Sequence, residues 1–278
     1  MKKLLFTILL ICFSFPAFAT DQKESIYDRV VRTKTLRCAY TTYPTFVEKD
    51  PNTGAFSGMF YDLVEEMGKQ LGLKIEWTEE VGSDALFAGF QTGRYDAVCA
   101  GYAATPSRTW GGDFTKPLVF IPFYMYVRAN ETRFKDVDDL NKSGIGIATL
   151  DGEMSQIVIH ADFPLAQEKS LPGLTAATDR LEMIATGKVD ATPMEPAIAA
   201  EYMAHNPGKI KQFGRSLRME GSTILIPHNE FALKDMLDTA IDAMKWNGVI
   251  GKIVKKHEKY PGTMLVPAPA YATTPERK

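Results

Sequence analysis

Arg108 ends the stretch Gly101-Tyr102-Ala103-Ala104-Thr105-Pro106-Ser107-Arg108, and its place there is chemically odd. Thr105 is a good helix N-cap and Pro106 a good first helical residue, so the spacing predicts a helix start. A capping box would put Glu or Gln at 108. A cation there meets the positive end of the helix dipole. An anionic ligand removes the conflict, because free N–H groups at a helix start favour anions and a guanidinium grips a carboxylate with two parallel hydrogen bonds. Gly101, Ala103 and Ala104 would let the backbone approach such a ligand. The plainer alternative is an Arg that reaches solvent or pairs with Asp113.

A second charge sits in Asp190-Ala191-Thr192-Pro193-Met194-Glu195. Glu195 falls just past a predicted strand, where its carboxylate could take an ammonium group or lie solvated. Arg108 on one wall and Glu195 on another would hold a zwitterion. Tyr40, Tyr43 and Phe46 follow the first predicted strand and should border the same cleft; Tyr43, then Tyr40, is favoured to stack on a ligand. Tyr102 and Trp110 are nearby. Glu153, in Thr149-Leu150-Asp151-Gly152-Glu153, either favours a positive ligand group or complements a helix dipole.

The elements that must position these residues follow from periodicity. Strands are predicted at 36–40, 73–80 and 95–101. Helices are predicted over 59–72, where Leu63, Val64, Met67 and Leu71 keep a 3.6-residue period, and over 84–93. That βαβαβ order reads as an open parallel sheet with helices on its faces. The pattern restarts near 126, with a polar helix start at 134–140, strands at 144–150 and 188–194, and helices at 155–162 and 178–187. Two amphipathic helices, broken at Asn247-Gly248, fill 231–260. Thr92-Gly93-Arg94-Tyr95-Asp96-Ala97 is echoed 94 residues later by Thr186-Gly187-Lys188-Val189-Asp190-Ala191. Similar elements surround both copies, which favours two like α/β lobes. Open sheets of this kind bind ligands at their strand C-termini.

The 278 residues are 45% apolar with a net charge of −2, enough for a sizeable core. Lys2, Lys3, an apolar run and Ala17-Phe18-Ala19 read as a cleaved export signal over 1–19. Ile11 before Cys12 is too large for a usual lipidation signal. Removing the two lysines leaves 30 basic against 34 acidic residues, a charge near −4. The mildly acidic balance and the lack of a dense basic run argue against nucleic-acid binding. Export permits a bridge between Cys38 and Cys99; two buried free thiols are the other reading. His160, His205, His228 and His257 are dispersed, so neither a metal site nor a catalytic triad is expected. The tail 266–278 should be loosely ordered.

These residues together resemble the periplasmic solute-binding proteins of the polar amino-acid type, receptors of ABC importers (family 3). The resemblance rests on Tyr43-Pro44-Thr45-Phe46, Gly58-Met59-Phe60-Tyr61-Asp62-Leu63 and Gly93-Arg94-Tyr95-Asp96-Ala97. It continues through Thr105-Pro106-Ser107-Arg108, Asp113-Phe114-Thr115-Lys116-Pro117, Gly187-Lys188-Val189-Asp190-Ala191, Glu195 and Trp246-Asn247-Gly248, and covers roughly 30–260. It implies a type II two-lobed fold, with lobe 1 at 30–125 plus 220–265, lobe 2 at 126–219, and two hinge strands. It implies that Arg108 binds an α-carboxylate, Glu195 an α-ammonium, and Tyr43 the ligand side chain. It further implies a monomer in the periplasm, working with an inner-membrane ABC permease and without a cofactor.

Three departures matter. Ala103 stands where Thr or Ser is frequent, Glu195 where Asp is usual, and Gly152-Glu153 where Gly-Thr or Gly-Ser often completes the carboxylate cradle. A Glu cannot donate to a carboxylate at neutral pH. The pocket is therefore expected to be more acidic and to suit a cationic amino acid. A periplasmic cyclohexadienyl or arogenate dehydratase shares the fold, but would carry a Glu where this chain has Ile198. A ligand-sensing or accessory periplasmic module is the remaining alternative.

Overall fold

The computed structural model describes residues 24–266. The expected export signal and the tail from 267 onward lie outside the described residues. The first half runs α1 Ile26–Thr33, β1 Thr35–Tyr40, the short β2 Glu48–Lys49 and β3 Phe56–Ser57, α2 Met59–Leu71, and β4 Lys74–Glu80. It continues with α3 Ala88–Thr92, β5 Ala97–Ala103, β6 Asp113–Phe114 and β7 Val119–Arg128. The second half runs β8 Gly146–Leu150, α4 Met154–Asp162, β9 Gln167–Leu171, α5 Ala177–Ala185 and β10 Ala191–Met194. It ends with α6 Pro196–His205, β11 Ile210–Ile226, α7 Phe231–Trp246 and α8 Val249–His257. Short 3-10 turns occupy Arg108–Trp110 and Val137–Leu140.

Periodicity explains the helices. Met59, Leu63, Val64 and Met67 put one face of α2 into the core, and Gly72 stops the helix in a left-handed conformation. Asn247-Gly248 separates α7 from α8 as the sequence indicated.

The sheet order is β4-β1-β5-β11-β7-β10-β8-β9. β4, β1 and β5 are parallel, as are β10, β8 and β9. Between these groups run β7 and β11, antiparallel to each other; β11 pairs with β5, and β7 with β10. The result is two α/β lobes, each a largely parallel sheet with helices packed on it, joined by two long strands. The expected lobe boundaries at 125/126 and 219/220 fall inside those strands. One core gathers Leu36, Val64, Met67, Leu237 and Ile241 under β1 and β5. The other lobe buries Val158, Ile159 and Phe163 under α4, and Leu181, Ile184 and Ile198 between α5 and α6.

The sequence echo has a structural cause. Asp96 accepts the backbone N–H of Arg37 at 2.7 Å and pairs with the Arg37 and Arg29 side chains. Asp190 accepts the backbone N–H of Gly146 at 2.9 Å and pairs with Arg128 and Arg133. In each lobe, an Asp at the start of one strand thus fixes its neighbour's backbone. The desolvated carboxylate is stable because arginines and a backbone donor surround it.

Cys38 and Cys99 are joined in a disulfide between β1 and β5, with Cα atoms 5.5 Å apart. Neighbouring parallel strands accommodate the bridge, and the free-thiol reading falls.

Candidate ligand-binding cleft

β1 and β5 end beside each other because they are paired and parallel, so their following loops share one edge of the first lobe. β10 and β8 do the same in the second. These edges face each other across a narrow cleft lined from both lobes. The first lobe lines it with Thr41, Tyr43, Phe46, Ser83 and the 100–103 strand end, together with Arg108; the second contributes Glu153, Met154 and Glu195. Glu220 reaches it from β11.

Two glycines permit the close approach. Gly101 has φ +78°, and a Cβ there would meet the Phe60 ring at 2.9 Å. Gly152 has φ +71°, and a Cβ there would lie 2.4 Å from the Ser83 carbonyl oxygen of the opposite lobe. Any side chain at 152 would therefore hold the lobes apart.

Arg108 is buried, and its guanidinium lies 5.0 Å from the Tyr102 ring centre. It donates to the Ala103 carbonyl at 3.0 Å and across the cleft to the Gly152 carbonyl at 2.8 Å. A guanidinium has five N–H donors, so these two bonds leave donors for an anion. Tyr102 is itself fixed through its hydroxyl, 2.8 Å from both Thr41 Oγ1 and Ser83 Oγ. Burial lowers the Arg108 pKa from its usual value, opposed by Tyr102 and Glu153, and this desolvation strengthens its pull on an anion.

Glu195 is the N-cap residue of α6, with Pro196 at the first helical position. Its side chain makes no capping bond and enters the cavity. Tyr43 Oη donates to its Oε2 at 2.9 Å, a contact from lobe to lobe. Burial pushes the Glu195 carboxyl up to about 7; Glu153 adds to the shift and Arg180 opposes it.

Glu153 is the N-cap of α4 and accepts the Ser155 backbone N–H at 2.9 Å. It also accepts from the Ser155 hydroxyl and, at 2.9 Å, from Arg180. Arg180 is fully buried on α5 and donates to Tyr43 Oη at 3.2 Å. Glu153 thus has its charge matched inside the protein.

Glu220 differs from the other carboxylates. The residue is half-buried, yet its Oε1 is shut off from solvent with no hydrogen-bond partner among the described residues. Burial pushes its carboxyl well above the usual range, with Glu195 and Glu153 adding to the shift and Arg108 opposing it.

A cleft between two lobes, with opposite charges on its facing walls, can hold a small charged solute. The family model spanning residues 36–259 agrees. The chain belongs to the bacterial extracellular solute-binding proteins, family 3. This solute-binding protein is 27% identical over 208 residues to a probable amino-acid ABC transporter-binding protein of Haemophilus influenzae, covering 74% of this chain and 77% of the relative. It is similar to the crystal structure of an ancestral amino-acid-binding protein that is a precursor of cyclohexadienyl dehydratase. There the TM-score is 0.74 at 25% identity, over 85% of this chain and 100% of that one. It is also similar to an ancestral arginine-binding protein bound to arginine, with TM-score 0.70 at 26% identity, over 80% of this chain and 97% of that one. Each of the three is described as a binding protein.

Three expectations are corrected. Thr105 caps no α-helix: its carbonyl accepts from the N–H groups of Arg108 and Thr109, and only a 3-10 turn follows before Gly111 and Gly112. The helix-terminus contribution to anion binding is therefore dropped, and Thr105 does not line the cavity. Tyr40 faces away, buried against Phe56 and Trp77, with Lys49 Nζ donating to its hydroxyl at 3.0 Å. It shares a strand face with Cys38, two residues earlier, and so belongs to the core below the sheet. Trp110 is 88% exposed and points outward. Of the two readings of Glu153, the structure meets the helix-start one: it caps α4 and pairs with Arg180 while lining the cavity.

Sequence reading missed Arg180 and Glu220. Arg180 did carry a signal, since it falls on the apolar face of α5 between Ala177 and Ile184. A charge there implies a buried partner. Glu220 carried none; its place depends on β11 lying beside Ile121 of β7.

Proposed function

We propose that this protein captures a zwitterionic amino acid in the periplasm for an ABC importer, and that it favours ligands with a cationic side chain. The observation that carries this reading is the placing of Arg108 and Glu195 on opposite lobes of one buried cavity. Arg108, held over Tyr102, receives the α-carboxylate, and the Ala103 strand end supplies backbone close to it. Glu195 receives the α-ammonium, and Tyr43 borders the ligand's aliphatic part. Because the two charges belong to different lobes, a ligand that joins them stabilises the closed form over the open one, which is the condition for ligand-driven closure. The closed form is then what a permease would recognise. The relatives' names support amino-acid import, and the arginine-bound ancestral protein supports a cationic ligand. The charged n-region and Ala17-Phe18-Ala19 motif support export.

Calorimetry with lysine, arginine, ornithine, glutamine and glutamate tests the ligand class. Binding of the three cationic amino acids ahead of the others is expected; a preference for glutamate would sink the proposal. Native mass spectrometry of the freshly purified protein should show a co-purified amino acid.

A further inference from the structure

We infer that Glu220 receives the second positive charge of the ligand, so that the cleft selects an amino acid of net charge +1. This rests on the zwitterion reading above and assigns the ligand's side chain to a residue.

The charges around the cavity do not balance without a ligand. The charged side chains lining the cavity are Arg108, Glu153, Glu195 and Glu220, and Arg180 stands directly behind Glu153. Glu153 and Arg180 neutralise each other at 2.9 Å. Arg108 is left for the ligand carboxylate and Glu195 for its ammonium. Glu220 then has no partner. Its Oε1 accepts no hydrogen bond among the described residues and is closed to solvent. A carboxylate with one oxygen closed to solvent and unpaired is costly, and an unsatisfied buried polar atom calls for a physical cause. Here the cause is a partner that arrives with the ligand. A cation at Glu220 brings the cavity and ligand together to neutrality. A neutral side chain would leave Glu220 either charged and unpaired or protonated.

Position supports the assignment. Glu220 lies on β11, opposite Ile121 of β7, where the two connecting strands run side by side. It is therefore contributed by neither pair of facing loops. Arg108 and Glu195 can hold the backbone of the ligand while Glu220 meets its far end at the hinge side.

Glu220→Gln keeps the shape and removes the charge. The test measures lysine, glutamine and cadaverine binding by calorimetry in the wild type, Glu220→Gln and Glu220→Asp, with a thermal melt of each to establish folding. Lysine affinity should fall by at least about 30-fold in Glu220→Gln, the scale for losing one partner of a buried charge pair. Glutamine affinity should hold or rise, and Glu220→Asp should retain a preference for lysine over glutamine. Equal changes for lysine and glutamine would overturn the assignment. Cadaverine separates this claim from the zwitterion reading, because it carries two ammonium groups and no carboxylate. If the wild type binds cadaverine but no amino acid, and Glu220→Gln abolishes that binding, the zwitterion reading fails and Glu220 keeps its role. If the wild type binds neither lysine nor cadaverine, both claims fail.

Discussion

Tyr43 of the first lobe donates its hydroxyl hydrogen to Glu195 of the second at 2.9 Å, while the Tyr43 hydroxyl oxygen accepts from Arg180 at 3.2 Å. One phenol thus ties a cleft carboxylate to the buried Arg180–Glu153 pair. The loop after β1 bears on ligand binding chiefly through this hydroxyl, and through a ring that packs against Phe46.

Tyr43→Phe removes the hydroxyl and keeps the ring. The lost hydrogen bond to a charged group should cost the closed form about 1.5–3 kcal/mol. Amino-acid affinity should drop by about tenfold or more, and small-angle scattering should show a more open average shape at limiting ligand. Wild-type affinity with wild-type closure would show that the contact is incidental.

Arg180→Met should destabilise the fold by about 3–5 kcal/mol, because it leaves the Glu153 carboxylate buried without its pair. Adding Glu153→Gln should restore most of that loss, since the unpaired charge goes too. Urea unfolding of both variants measures the effect. A single-variant loss below about 1 kcal/mol would mean that the pair carries little.

Much of this architecture was legible because local periodicity sets it. The 3.6-residue period of α2 and the glycine stops at Gly72 and Gly93 read directly from the chain. So did the paired Gly-basic-x-Asp-Ala motifs, whose Asp96 and Asp190 perform the same backbone-fixing task in the two lobes. The site was legible only in part. Arg108 and Glu195 lie just past strand ends, which fixes their general direction. Thr105 misled because cap-like residues also suit a single turn, and two glycines stop the helix that would need to follow. Tyr40 misled because strand alternation, not closeness in sequence to Tyr43, decides which way its ring faces. Glu220 depended on the register between β7 and β11, about a hundred residues apart in the chain, and no local pattern encodes that.

Binding should strengthen as pH rises. In the free protein the Glu195 carboxyl is raised to about 7 by burial and by Glu153, against Arg180 and the Tyr43 hydroxyl. Glu220 is raised in the same direction. An ammonium ligand needs the carboxylate, so binding below pH 7 releases a proton and affinity climbs by up to about tenfold per pH unit per proton released. Stability of the ligand-free protein runs the other way. The folded chain holds the Glu195 proton between 4.5 and about 7, where the unfolded chain has lost it, so stability falls as pH rises through that window. Calorimetry in two buffers of different ionisation enthalpy, at about pH 6 and about pH 8, checks the first claim by the proton released. Affinity independent of pH over that range would contradict it.

Arg108 holds a ligand carboxylate across from Glu195 in the proposed binding mode, and calorimetric titration of wild type and Arg108→Ala with the tightest-binding amino acid tests this most directly. Arg108→Ala, folded by thermal melt, should lose on the order of 2–5 kcal/mol of binding free energy, the scale for truncating one partner of a buried charge pair. Unchanged affinity in a folded Arg108→Ala protein would contradict it.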